Sequence, residues 1–223
     1  MSPRQQLRAG RLPRRLTQLL AGLTLYGVSL AMMIRAHLGL APWDVFHYGV
    51  AAHLPLSFGT VTILVGVAVL LLWIPLRQRP GLGTVANVFV IGLVTDVALS
   101  MLSTPGALWQ RAVLLAAGIV FNGLAGALYI GSQLGPGPRD GLMTGLVRRT
   151  GRSVGLVRTV IELTALGVGW LMGGVVGVGT VAYALAIGPV LHVLLPRLTI
   201  RLDAATVNGP SVDADLTGLP PAA

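Results

Sequence analysis

The sequence predicts an all-α polytopic membrane protein made of two inverted repeats, each with three transmembrane helices and one short re-entrant or interfacial helix. Three observations carry this. Hydrophobic residues make up 54% of the 223 and charged residues only 10%, too few to cover a soluble domain, where roughly a quarter of residues are charged. Shifting the chain by 96 positions lays 134–193 on 38–97 without a gap, and 18 of the 60 positions agree. So biased a composition gives roughly one match in twelve by chance, so the agreement marks an internal duplication. The 16 basic residues are all arginine and flank apolar runs, where they set topology rather than mark a nucleic-acid surface.

Taken in order, residues 1–15 carry five arginines and read as a basic cytoplasmic tail lying on anionic lipid. The first membrane repeat covers 16–103. Its first helix is expected over 16–36, too long for the apolar segment of a signal peptide. A short helix over 41–54 starts with Pro42 and Asp44 in its first turn. At 1.5 Å per residue it reaches about 20 Å, short of the hydrocarbon core. Two more spans follow, over 58–76, ended by Arg77, Arg79 and Pro80, and over 83–102. Thr104-Pro105-Gly106 is a turn between the halves. The second repeat, 110–200, runs through a span over 111–132, a short helix over 139–150, and spans over 154–172 and 178–195. The stretch 203–223, rich in Pro, Gly, Ala and Asp, is expected to be disordered.

Three spans per half is an odd number, so the second half lies upside down relative to the first. With both termini cytoplasmic, 14 arginines fall inside and only Arg35 and Arg111 outside. If the short helices crossed the bilayer, the repeats would be parallel and Arg77, Arg79 and Arg139 would move outside, against the positive-inside tendency.

Four acidic residues lie in or beside membrane segments: Asp44, Asp96, Asp140 and Glu162. An ionisable group there costs on the order of 2.5–3.5 kcal/mol to insert and should face the bundle interior or water. Asp44 and Asp140 are repeat partners, and two roles are open to them. Each carboxylate can cap its own short helix. Alternatively, the two polar helix starts meet at a central cavity where exposed N–H groups, the carboxylates and Arg139 hold a solute or proton. Arg158 and Glu162 are spaced i, i+4, which permits an ion pair or a gate. Asp96 and His192 are repeat partners, fit for a proton relay or for solvated helix ends. Asn87 and Asn122 are expected to bond between helices, and Gly169, Gly173 and Gly177 follow the G-xxx-G spacing of close helix packing. His37, His47 and His53 cluster, but only Asp44 and His47 converge by spacing, fewer than a catalytic zinc needs. Enzyme motifs are absent, and the lack of cysteine excludes thiolate sites.

The LGxxPxD start of each short helix, the GRSVG before 154, the GWLMGGVVGVGT run and the following IGP together resemble the YczE/YyaS/YitT-like bacterial integral membrane proteins over residues 15–200. The resemblance implies a bacterial plasma-membrane location and supplies no catalytic or ligand residues. The expectation is a secondary transporter or permease for a small solute. Pro42, Asp44, Pro138, Arg139 and Asp140 are the substrate-binding candidates; Asp96, Arg158, Glu162 and His192 are the gate or proton-coupling candidates. The alternative is a non-transporting scaffold that binds a partner through its Arg-rich cytoplasmic face. No catalytic residue, metal, cofactor or nucleic-acid partner is expected.

Overall fold

The computed structural model describes residues 5–6 and 9–202; the expected tail 203–223 lies outside the described residues. From Leu12 to Leu198 the chain forms eight helices: α1 (Leu12–Ala36), α2 (Pro42–Ala51), α3 (Phe58–Trp73), α4 (Leu82–Met101), α5 (Leu108–Gly131), α6 (Pro138–Thr150), α7 (Val154–Leu171) and α8 (Val178–Leu198). The first residues of α5 to α8 each lie 96 positions after those of α1 to α4. The same local chemistry sets these starts in both halves. Pro42 and Pro138 occupy the first turn of the short helices, where a missing N–H costs nothing. Ser57 and Ser153 cap α3 and α7, each hydroxyl accepting from the backbone N–H three residues on. The loops that lead into the short helices also match, with left-handed backbone at His37 and Gln133 and again at Gly39 and Gly135.

Two sequence expectations need correction. The N-terminal tail is shorter than 15 residues, because α1 already begins at Leu12. Arg15 is fully buried instead of lying on lipid. Its guanidinium donates to the carbonyls of Ser132 (2.8 Å) and Gln133 (2.9 Å), acceptors left free where α5 ends. The span expected over 58–76 stops at Trp73, leaving a helix of 16 residues, about 24 Å long. Pro75 explains the stop, since it has no N–H to carry the helical hydrogen bonds past Ile74, which still has helical backbone. Five helices, α1, α4, α5, α7 and α8, are long and apolar enough to cross a membrane.

Packing follows the duplication. The repeat partners α1 and α5 pack on each other at the centre. Around them α1 packs on α4 and α5 on α8, while α2 packs on α7 and α6 on α3. Each short helix therefore seats against the third helix of the other half. The loops do the same. Gly83 N–H donates to Leu134 C=O (2.8 Å), and Gly179 N–H donates to Leu38 C=O (2.7 Å). The LG motif of each half thus completes the Gly-Thr-Val-Ala helix start of the other. These contacts need glycine: a Cβ on Gly177 would lie 2.5 Å from Leu38 O, and one on Gly81 2.5 Å from Leu134 O. One pairing breaks the pattern. α3 packs along α4, but α7 and α8 have no comparable packing.

Candidate functional site

The charged residues of α6 sit where the two halves meet. Asp140, in the first turn of α6, does not cap its own helix. Its Oδ2 accepts from the Tyr129 hydroxyl of α5 at 3.0 Å. The neighbouring Arg139 turns the other way and places Nη1 3.0 Å from Glu162 Oε1 on α7, with Nε 4.0 Å from Asp140 Oδ1. Tyr26 of α1 packs edge-on against Tyr129, ring centres 6.3 Å apart. Beside them Asn122 is buried and bonds on both sides. It donates to Ser29 Oγ and accepts from the Tyr183 hydroxyl, both at 2.9 Å.

These residues separate two cavities. The larger, of about 960 Å³, lies among α5, α7 and α8 and is lined by Pro42, Asn122, Arg158, Glu162 and Tyr183. The smaller, of about 110 Å³, lies among α2, α3 and α4 and is lined by Trp43, Asp44, His47, Asn87 and Pro138. Tyr26, Tyr129, Arg139 and Asp140 line both and so form the wall between them. In the smaller cavity Asp44 Oδ1 lies 3.7 Å from His47 Nδ1. His47 Nδ1 and Trp43 Nε1 are buried there with no hydrogen-bond partner, unsatisfied groups of a kind that is rare in a packed core.

The expected substrate-binding residues are therefore together, divided by the wall. Arg139 and Asp140 belong to both cavities, Pro42 to the larger, and Asp44 and Pro138 to the smaller. Of the expected gate residues, Arg158 and Glu162 line the larger cavity. The i, i+4 pair is not formed. Glu162 pairs with Arg139, whose guanidinium reaches it from the packed α6, while Arg158 is exposed. Asp96 and His192 do not meet. Asp96 holds the start of α3, accepting from Gly59 N–H (2.8 Å) and Ser57 Oγ (2.5 Å), and His192 is exposed on α8. Asn122 bonds between helices as expected, whereas Asn87 lines the smaller cavity and makes no side-chain hydrogen bond among the described residues. Among the described residues no group of three or more His, Cys, Asp or Glu gathers as a metal site would.

Sequence reasoning missed Tyr26, Tyr129 and Tyr183, three of the four tyrosines in the chain. A signal for two of them was present. Tyr26 and Asn122 are repeat partners, and so are Asn87 and Tyr183, so the same two polar types exchange places across the duplication.

Known proteins resemble this chain over most of its length. The chain is 39% identical over 177 residues to an uncharacterized protein of Haemophilus influenzae, covering 79% of this chain and 81% of the relative. It is 34% identical over 184 residues to the uncharacterized membrane protein YczE of Bacillus subtilis, covering 82% and 85%. It is 24% identical over 179 residues to the uncharacterized protein YyaS of the same organism, covering 78% and 89%. No solved structure matches it. With its apolar helices and this kinship to YczE, the chain is a membrane protein, and the match of residues 13–196 shows that it belongs to the family of unknown function DUF6198.

Proposed function

We propose that this membrane protein is a secondary transporter that moves a small polar solute through a central cavity between two inverted halves. The observation that carries the reading is the shared wall. Two cavities, built from equivalent parts of the two halves, meet at Tyr26, Tyr129, Arg139 and Asp140. A polar cluster between two spaces is what a site reached from either face of a membrane requires. The larger space is of a size that suits a small molecule, roughly 300–1,000 Å³.

Counting α3 as a span that thins the bilayer locally, each half crosses three times and the second is inverted. The arginine distribution supports the same topology, with both termini on the cytoplasmic side. In the wall, Arg139 and Asp140 each already hold a partner, Glu162 and Tyr129. A solute binds by exchanging with those partners, and Glu162 with Arg158 guards the larger cavity.

The test is uptake of a solute panel by liposomes containing the purified protein. Asp140→Asn and Arg139→Gln are expected to lower uptake of the transported solute about tenfold or more, the worth of one hydrogen bond to a charged group. Full uptake in both folded variants rejects the site. No uptake of any solute by the wild-type protein, together with a stable partner bound at the arginine-rich face, favours the scaffold instead.

A further inference from the structure

The two halves carry the same glycines at the seam between their third and fourth helices, yet one seam is shut and the other is open. In the first half Gly59 of α3 lies on Gly92 of α4, and a Cβ on Gly92 would come 2.6 Å from Gly59 O. Asp96 locks that seam by accepting from Gly59 N–H and Ser57 Oγ. The repeat partners of these glycines are Gly155 of α7 and Gly188 of α8. A Cβ on either would meet nothing within 4 Å. Ser153 already caps α7 as Ser57 caps α3, and His192 stands where Asp96 does.

The cavities follow the seams. Thr62, Gly66, Asn87 and Ile91 line the smaller one, and their repeat partners Arg158, Glu162, Tyr183 and Ile187 line the larger one. The two are the same space in the two halves, at about 110 Å³ where the seam is shut and about 960 Å³ where it is open.

We propose that the protein has a second, exchanged conformation, in which α7 closes on α8 at Gly155 and Gly188 while α3 parts from α4 at Gly59 and Gly92. The larger cavity then shuts and the smaller one opens, with the wall residues left between them. The inference rests on the inverted-repeat transporter reading and adds how the site changes access.

The parts that stay fixed are those the two halves already share: the packing of α1 on α5 and the crosswise loop bonds of Gly83 and Gly179. The lock that forms in the exchanged state is weaker. An imidazole at His192 offers at most one acceptor nitrogen to Gly155 N–H or the Ser153 hydroxyl, where the carboxyl of Asp96 offers two oxygens and accepts both bonds at once. That difference accounts for which seam is shut here. Pro189, next to Gly188 inside α8, withdraws one helical hydrogen bond and eases bending at the closure point.

The chain has no cysteine, so spin labels report cleanly. Labels on Leu156→Cys and Val193→Cys measure the α7/α8 seam, and labels on Thr60→Cys and Val97→Cys measure its equivalent. Gly92→Leu clashes with the shut seam, and His192→Asp supplies the missing carboxylate. Both are expected to shorten the 156–193 distance toward the wild-type 60–97 value, and Gly92→Leu also lengthens 60–97. Gly188→Leu starts from a Cβ that meets nothing within 4 Å in the open seam and obstructs closure, so it is expected to hold 156–193 at its long value. A folded Gly92→Leu or His192→Asp protein whose 156–193 distance equals that of Gly188→Leu overturns the proposal. Solute uptake with unmoved distances removes the exchange and leaves the transporter; exchanged distances without uptake of any solute do the reverse.

Discussion

Asn122 shows how much one polar side chain contributes inside this protein. Its amide joins α1 to α5 through Ser29 and α5 to α8 through Tyr183. Asn122→Ala leaves the Tyr183 hydroxyl buried without its acceptor, at a cost of about 1–3 kcal/mol. A clearly lower unfolding temperature of the purified protein in detergent is expected, and an unchanged one would show that the network adds nothing. Asn122 was legible from sequence, because an amide in an apolar helix seeks a partner. The Tyr–Asn exchange between positions 26/122 and 87/183 was legible too, but only once the halves are laid in register. The partner of Glu162 was not. Spacing along α7 points to Arg158, and the guanidinium that reaches the carboxylate belongs to Arg139, on a helix whose position depends on tertiary packing. For the same reason Asp140 reads as a local cap, although a tyrosine eleven residues back takes its oxygen.

At the scale of the helix, close approach decides what each glycine does. Gly49 of α2 presses on α7, where a Cβ would lie 2.5 Å from Gly169 O, while a Cβ on Gly167 would meet nothing within 4 Å. Gly49→Val is therefore expected to destabilise the protein by about 1–3 kcal/mol through overpacking, and Gly167→Val to leave stability nearly unchanged. Thermal unfolding of the two purified variants compares them directly; equal losses would refute the α2–α7 contact. The helix starts were readable because proline and serine act locally at Pro42, Pro138, Ser57 and Ser153. The G-xxx-G spacing of 169, 173 and 177 was less informative. α7 ends at Leu171, so Gly173 lies in a turn with positive φ and Gly177 packs on Leu38 instead. The length of α3 was overestimated because an apolar run continues past Trp73 in composition but not in backbone.

For the whole molecule, the proposed inversion makes a plain topological prediction. A single cysteine at Leu54, exposed after α2, and one at Arg152, exposed after α6, should react with a membrane-impermeant maleimide from opposite faces. In intact cells Leu54→Cys is labelled and Arg152→Cys is not until the cells are opened. Labelling of both from one side refutes the inverted arrangement. The duplication itself could be read from sequence, since it is a property of the order of residues. Which seam is open could not, because Gly59 with Gly92 and Gly155 with Gly188 are the same letters in different surroundings. The loop bonds that run from Leu38 to Gly179 and from Leu134 to Gly83 have a further effect during synthesis. While the ribosome is still making the second half, the start of α4 has no carbonyl to receive it, and Leu38 waits for a residue more than a hundred codons downstream. Each half thus relies on the other to complete a helix start. Fragments severed at the 104–106 turn should each be degraded when produced singly, and should rebuild the native protein when produced together.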